Sequence, residues 1–324
     1  MTPAKRLKQA PTLIPGGLTT RGYMVIDCGE DLMRSFDSAV FFSEMREFVN
    51  PLGQRNAGAF GAYGNASSFH QPQMRRLRSG LYAKMKPILK GIYGDGWFVQ
   101  FLIDRLSERL PGTSLSGDIF HRDATIDYSA GPDESTVVVL GGFFNMSLTE
   151  TQFLSCVPGT QNEPNPDGGF SKRMSKLDAA TFKPRSEIVE VPPNSLILYN
   201  ELLIHEDQAF KRPLDLPSCL RLYIKCHLSR TGVPAYPMSE IIETIRTQGV
   251  PRLNLKDKYA PMYGSSLMRF HKKKVLEFSQ NVKPNFRGAD GFVKRKMDSL
   301  YDAGEELFLD YTADEIADLT PNVL

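Results

Sequence analysis

The sequence feature that most constrains the fold is a series of short apolar runs between residues 97 and 230, separated by Gly, Pro, Asn and Asp. The runs are rich in β-branched and aromatic residues and span residues 97–103, 125–128, 136–144, 153–157, 188–191, 196–199 and 220–228. Strands of this length and spacing are typical of a β-sandwich or barrel rather than of alternating βαβ units. The chain is therefore predicted to be mainly β.

Helical periodicity is found on either side of these runs. It predicts one helix over residues 31–49 and a second over 73–91, which Pro87 should kink or divide and whose Lys and Arg should face solvent. Later segments predict helices over 238–248, 297–309 and 312–319, the last opening with Thr312 and Glu315 at capping-box spacing. We expect a flexible arm at 1–20, a β domain with flanking helices at 21–235, and a C-terminal helical extension at 236–324, packed on the core or trailing it.

Charge and composition disfavour several classes of protein. Lys and Arg number 39 against 37 acidic residues, so the net charge of +2 gives no large field that would attract a nucleic-acid backbone. No stretch approaches the ~18 to 20 apolar residues that a membrane-spanning helix needs. The cysteines form no CxxC pair or zinc spacing and no signal peptide precedes them, which favours a soluble protein of the reducing cytoplasm. The oligomeric state is not indicated.

The chemistry-bearing motif is His121-Arg122-Asp123 together with a distant histidine, His205. Residues two apart in a strand point to the same face, so His121 and Asp123 can hold one metal ion while Arg122 turns away. His205 follows an apolar segment that is predicted to be another strand, and can supply the third ligand. Two imidazoles and one carboxylate are the ligands of non-haem Fe(II) oxygenases, in which the open metal positions take a cosubstrate and O₂.

Arg221 is the candidate partner for a carboxylate cosubstrate. It lies inside the apolar run 220–228, where an unpaired charge is costly, and a guanidinium binds a carboxylate through two parallel hydrogen bonds. Arg212, Lys225 and Arg230 are rivals for this role. A structural ion pair remains the alternative explanation for Arg221.

The order of motifs along the chain resembles the phytanoyl-CoA dioxygenase family of Fe(II)- and 2-oxoglutarate-dependent oxygenases. The resemblance covers residues 97–230. It rests on these motifs in chain order: His121-Arg122-Asp123, the run 137–144, residues 152–156 leading into Pro158-Gly159-Thr160, residues 189–199 around Pro192-Pro193-Asn194-Ser195, His205, and Arg221 followed by Cys226-His227. It implies a double-stranded β-helix, or jelly-roll, core. It also implies that His121, Asp123 and His205 bind Fe(II), and that Arg221 binds the distal carboxylate of 2-oxoglutarate.

The resemblance further implies a reaction. In such a dioxygenase 2-oxoglutarate is decarboxylated by O₂ to succinate and CO₂, and an Fe(IV)-oxo intermediate then hydroxylates a small organic or lipid-like substrate. Asp123 favours hydroxylation over halogenation, because halogenases of this type need a vacant position where the carboxylate binds.

Two residues depart from the family pattern. Asp207 stands where many members carry a small hydroxyl residue, and an ionised Asp beside a dicarboxylate repels it. Arg122 replaces the usual Gln, and can supply a second cation near the substrate or a salt bridge to Asp207. Asn145 is a weak candidate to line the pocket.

Two alternatives remain open at the level of sequence. The first, which Asp207 and the unusual ends of the chain motivate, is a jelly-roll binding or structural protein, for example an assembly component, with weak or lost oxygenase activity. The second is an oxygenase that acts on a nucleic acid or protein, guided by the basic run at residues 271–274. A solvated helix face is the simpler explanation for that run, because the overall charge is balanced.

Overall fold

The computed structural model describes residues 17–41, 72–109, 111–112, 114–115, 120–123, 137–166, 174, 176–206, 210–211, 213–217, 219–232, 312–317 and 322–324. Several predictions lie outside these residues. They concern residues 1–16 of the arm predicted at 1–20, the strand at 125–128, the helices at 238–248 and 297–309, and Asp207. Residues 17–20 of that arm lie in a short π turn in which Gly17 and Leu18 are buried. The proposed domain boundaries stay predictions.

Strands make up most of the regular structure in the described segments, which confirms the prediction of a mainly β chain with flanking helices. The helices are α1 (Asp31–Arg34), α2 (Pro72–Tyr93), α3 (Lys176–Phe182) and α4 (Ala313–Ala317). The strands are β1 (Tyr23–Asp27), β2 (Phe98–Arg109), β3 (Ser114–Leu115), β4 (Val137–Asn145), β5 (Gln152–Val157), β6 (Glu187–Val191), β7 (Ser195–Asn200), β8 (Ile204–Glu206), β9 (Phe210–Lys211), β10 (Cys219–Ser229) and β11 (Asn322–Val323). Short π and 3-10 turns occur at Gly17–Arg21, Thr160–Asn162 and Lys183–Arg185.

The strands form one large sheet and two small ones. The large sheet has six strands in the order β1-β7-β4-β10-β2-β11, a second sheet has the order β6-β5-β8, and β3 pairs with β9. Every pairing is antiparallel. The long strand β10 therefore lies at the centre of the large sheet, between β4 and β2.

The two faces of the large sheet pack against different partners, as strand alternation requires. One face presents Leu222 and Ile224 of β10 to a core shared with Leu81 and Met85 of α2. The other face, called here the inner face, carries Phe143, Ile197 and Tyr199, and these residues pack with Leu154 and Val189 of the three-stranded sheet. A second core thus lies between the two sheets.

The first predicted helix is interrupted. Helix α1 ends at Arg34, and helical structure resumes only at residues 38–41. The interruption has a local cause, because the Asp37 carboxylate accepts a hydrogen bond from the Val40 amide at 3.0 Å and so starts a new helical turn. The rest of the predicted helix, residues 42–49, lies outside the described part of the chain.

The second predicted helix is present, but its arginines do not all face solvent. Helix α2 continues through Pro87 without dividing, and Arg75 and Arg78 are buried. Arg75 Nη1 lies 3.5 Å from Glu315 Oε2 of α4, so a returning C-terminal segment covers this face. The predicted capping box is confirmed, since Thr312 Oγ1 accepts from the Glu315 amide at 3.1 Å and Glu315 accepts from the Thr312 amide at 2.9 Å. None of the helices in the described segments combines the length and the apolar character needed to cross a bilayer.

Candidate metal centre

The main chain brings the two predicted histidine ligands together. His121 and His205 form an antiparallel bridge in which each backbone amide donates to the carbonyl of the other at 3.0 Å. The Asp123 amide donates to the Glu201 carbonyl at 2.8 Å, which holds the other end of the His-x-Asp segment against the turn before β8. Backbone pairing therefore sets the positions of all three residues.

The side chains of His121, Asp123 and His205, called here the cluster, converge on one point. His121 Nε2 lies 3.6 Å from Asp123 Oδ1, and His205 Nε2 lies 3.6 Å from Asp123 Oδ2. All three possible ligand atoms lie within 4.8 Å of one another. No second group of three such side chains is found among the residues that the structure describes.

The surroundings of His205 fix which ring nitrogen faces the cluster. Its Nδ1 atom lies 2.9 Å from the Leu203 carbonyl, which can only accept a hydrogen bond, so Nδ1 carries a proton and Nε2 is the ring atom that faces Asp123. His205 is buried, whereas the side chains of His121 and Asp123 are each 31% exposed. One side of the cluster is therefore open to incoming molecules.

Tyr199 contacts two members of the cluster and was not singled out from the sequence. Its hydroxyl donates to Asp123 Oδ2 at 3.0 Å, and its ring packs on the His205 ring with centroids 4.5 Å apart. Burial raises the pKa of Tyr199 well above its ordinary value, and the carboxylates of Asp123 and Glu201 raise it further, so the hydroxyl keeps its proton. Tyr199 is thus a permanent donor to Asp123.

The charge state of Asp123 follows from the same contacts. Burial by itself raises the pKa of this carboxyl, but interactions with His205, His121 and Tyr199 outweigh burial and hold the pKa well below its usual range. Asp123 is therefore ionised at neutral pH and can act as an anionic ligand.

Arg122 does not face the cluster, and its predicted role as a second cation near the substrate is wrong. Strand alternation directs it to the opposite side, where it is fully buried. Its guanidinium donates to the carbonyls of Thr160 at 2.6 Å, Glu163 at 2.7 Å and Leu202, and to Asn165 Oδ1 at 3.0 and 3.1 Å. Arg122 thereby joins the His-x-Asp segment to the turn after β5. The alternative salt bridge to Asp207 lies outside the described residues.

Arg221 lies on the inner face of the large sheet, 1% exposed. Its guanidinium stacks on the Phe143 ring, 3.8 Å from the centroid, and Nε donates to Gln152 Oε1 at 2.7 Å. Two weaker contacts join Nη1 to the Tyr223 hydroxyl at 3.3 Å and Nη2 to the Phe153 carbonyl at 3.4 Å. These contacts hold the planar group in one orientation.

The rivals of Arg221 have other surroundings. Lys225 Nζ lies 2.7 Å from the buried carboxylate of Glu201, and Arg230 lies over the Trp97 ring at 4.7 Å. Arg212 lies outside the described residues. Lys225 is thus engaged by Glu201, and Arg230 by Trp97.

Asn145 and Gln152 form a buried network behind Arg221. Asn145 Nδ2 donates to the carbonyls of Glu150 at 2.8 Å and Val191 at 2.9 Å, and its Oδ1 accepts from Gln152 Nε2 at 2.6 Å. Asn145 is therefore a satisfied structural group rather than a pocket-lining residue. Sequence reasoning did not identify Gln152 as a site residue. The one signal for it was its position at the start of a strand with alternating residues, which places its side chain on the inner side.

No protein-family model matches this chain, and no curated protein matches it in sequence. Solved structures that align with it include AviO1 from Streptomyces viridochromogenes Tue57, at 14% identity and a TM-score of 0.42, over 70% of this chain and 99% of that one. SnoK, a non-heme alpha ketoglutarate dependent carbocyclase from nogalamycin biosynthesis, aligns at 14% identity and a TM-score of 0.40, over 65% of this chain and 81% of its own.

HygX from Streptomyces hygroscopicus, solved with nickel, 2-oxoglutarate and hygromycin B bound, aligns at 16% identity and a TM-score of 0.40, over 64% of this chain and 84% of that one. Alignments this weak carry no argument about the reaction or the substrate of this protein. Its chemistry has to follow from its own residues.

Proposed function

We propose that this protein is a non-haem Fe(II)- and 2-oxoglutarate-dependent dioxygenase whose two main sheets form a jelly-roll core of the phytanoyl-CoA dioxygenase type. The observation that carries the proposal is the convergence of His121, Asp123 and His205, with all three possible ligand atoms within 4.8 Å. The sequence motif and the backbone bridge between the histidines support the same ligand group.

The donor chemistry fits this metal. Two neutral imidazoles and one ionised carboxylate leave a net charge of about +1 around a divalent ion, and the pattern of two histidines and one carboxylate with open positions is typical of non-haem Fe(II) oxygenases. When bound, the iron together with 2-oxoglutarate and O₂ supplies the oxidising power to hydroxylate a C–H bond, with release of succinate and CO₂.

The chain itself orients the reactants. The Leu203 carbonyl fixes the His205 ring, and the partial exposure of His121 and Asp123 leaves an approach to the metal position. Arg221 binds the distal carboxylate of 2-oxoglutarate, because its guanidinium is buried on the inner face and oriented by Gln152 and Phe143. A guanidinium in such an apolar site interacts with an anion more strongly than one in water.

The substrate that suits this site is a small organic or lipid-like molecule. The core between the sheets is built from aliphatic and aromatic side chains, and the net charge of +2 provides little attraction for a nucleic acid. Asp123 occupies the carboxylate position, so the reaction proposed is hydroxylation.

The test uses the full-length protein under anaerobic conditions. Addition of Fe(II) and 2-oxoglutarate should give a weak visible charge-transfer band, and exposure to air should produce succinate. Asp123→Ala and His205→Ala should lose both signals, because each removes a ligand, whereas His227→Ala serves as a matched control on β10. Metal-loaded wild-type protein that gives neither band nor succinate would contradict the proposal and favour a binding or structural protein.

A further inference from the structure

We infer that Tyr199 is a positioning residue that orients the Asp123 carboxylate for metal binding, an inference that rests on the proposed function. Tyr199 lies near the end of β7, on the inner face, and is 4% exposed. It reaches the cluster from a different strand than any of the three ligands. Its role therefore concerns their mutual arrangement rather than the fold of one segment.

The hydrogen bond of Tyr199 distinguishes the two oxygens of Asp123. Oδ2 accepts from the Tyr199 hydroxyl at 3.0 Å, while Oδ1 is the oxygen that lies 3.6 Å from His121 Nε2. A carboxylate held at one oxygen cannot rotate freely about its own axis, so Tyr199 presents Asp123 in a single orientation. Hydrogen-bonding partners of this kind fix ligand geometry and raise metal affinity.

The Tyr199 ring is held as firmly as its hydroxyl. It packs on the His205 ring at 4.5 Å, so one side chain braces both the carboxylate and a histidine of the cluster. On its other side is Gly141, which pairs with Tyr199 across the sheet. A Cβ atom at Gly141 would lie 3.0 Å from Tyr199 Cε2 and 3.4 Å from the hydroxyl oxygen. Glycine at 141 thus keeps the space that the phenol needs.

The measurement is metal affinity in the full-length protein, by calorimetric titration of Ni(II), which needs no turnover. Tyr199→Phe should weaken Ni(II) binding 10- to 100-fold, the range expected for loss of a ligand-orienting hydrogen bond. Tyr23→Phe is the matched control. Tyr23 pairs with Tyr199 on the neighbouring strand, but its hydroxyl donates to Glu187 instead of the cluster.

A second variant separates orientation from packing. Gly141→Ala should push the Tyr199 ring aside and also weaken Ni(II) binding. The double variant Gly141→Ala with Tyr199→Phe should lose less affinity than the sum of the two single losses, because the hydrogen bond to Asp123 can be lost only once. Gly141→Ala keeps the test available if Tyr199→Phe does not fold, as judged by circular dichroism.

The outcomes are distinct. Wild-type affinity in folded Tyr199→Phe, or additive losses in the double variant, would overturn the positioning role and leave the proposed function intact. Wild-type protein that binds Ni(II) no better than His205→Ala would overturn the proposed function itself. The expected losses in Tyr199→Phe and Gly141→Ala, with wild-type binding in Tyr23→Phe, support the inference.

Discussion

At the scale of single residues, Arg122 and Arg221 both donate hydrogen bonds to neutral oxygen atoms among the described residues. Arg122 contacts three carbonyls and an asparagine amide, and Arg221 contacts the amide of Gln152, a phenol and a carbonyl. Neutral acceptors hold a guanidinium in place without cancelling its charge. In the proposed function Arg221 binds an anionic cosubstrate, so a change in the charge of a described acceptor should alter that binding.

The first prediction concerns Gln152, whose amide oxygen accepts from Arg221 Nε at 2.7 Å. Gln152→Glu places a carboxylate there, and this carboxylate competes with 2-oxoglutarate for the guanidinium. We expect the KM for 2-oxoglutarate to rise at least about tenfold, equivalent to about 1.4 kcal/mol, with kcat little changed, as measured by succinate formation.

Gln161→Glu is the control for this prediction, since Gln161 is also buried but its side-chain amide donates to the Thr19 carbonyl at 2.9 Å. The same rise in KM in both variants, or no rise in Gln152→Glu, would argue against Arg221 as the carboxylate-binding residue.

The candidate ligands could be found from the sequence, but the groups that orient them could not. The His-x-Asp…His pattern and its family resemblance indicated His121, Asp123 and His205, and strand alternation allowed His121 and Asp123 to share a face. Tyr199 and Gln152 sit in equally ordinary strands, and only the pairing of β7 with β4 and of β5 with β6 shows that they point inward. The role predicted for Arg122 failed because nothing in its neighbours along the chain reveals the carbonyls that it meets.

At the scale of elements, the short strand β8 depends on the turn that follows β5. The Ile204 amide donates to Thr160 Oγ1 at 2.9 Å, and that hydroxyl donates to the Val157 carbonyl at 2.7 Å. Arg122 binds the carbonyls on either side of this contact, those of Thr160 and Leu202. Strand β8, which carries the candidate ligand His205, is thus held in place by side-chain hydrogen bonds as well as by its backbone pairing with β5.

The second prediction tests this tie through Arg122. Arg122→Met leaves three carbonyls and the buried Asn165 side chain without this donor, so we expect the free energy of unfolding to fall by about 3 kcal/mol or more, measured by urea denaturation without metal. Arg185→Met is the control, because the Arg185 pair with Glu163 at 2.8 Å is exposed, and such pairs contribute about 0 to 1 kcal/mol. Equal losses in both variants would show that Arg122 has no special role.

Helices were predicted less accurately than strands, for reasons specific to each. The break after α1 depends on the Asp37 side chain, which competes with the continuing helix for backbone amides. The burial of Arg75 in α2 depends on Glu315, a residue far along the chain. Periodicity describes one helix at a time, so it identified α2 and the capping box of α4 but not the contact between them.

At the scale of the whole molecule, the large sheet separates two cores, of which only one adjoins the candidate metal site. Its outer face packs on α2, and its inner face and the three-stranded sheet enclose the second core. From this core Tyr199 contacts Asp123 of the candidate metal site. The ligands come from two distant segments, residues 121–123 and β8. A metal bound there joins parts of the chain that only the folded state brings together.

The third prediction follows from this arrangement. A metal that binds only the folded state stabilises it by about 2.7 kcal/mol when its free concentration is 100 times its Kd. Adding Ni(II) to chelator-treated protein should therefore raise the Tm, as followed by circular dichroism. His205→Ala should show almost no rise, whereas His227→Ala should respond like the wild type. A similar rise in His205→Ala would place the metal elsewhere.

The connectivity of the large sheet also has a consequence for how fast the protein folds. Its first strand, β1, pairs with β7, so that Tyr23 lies opposite Tyr199. The long chain segment between these two residues has to form a closed loop before they can pair. Pairings between such distant segments slow folding, because a long loop must close before any contact compensates for the lost entropy. Until then the apolar strand β7 lacks its β1 partner and can pair with other molecules. We therefore expect the yield of refolded protein to fall as the protein concentration during refolding rises.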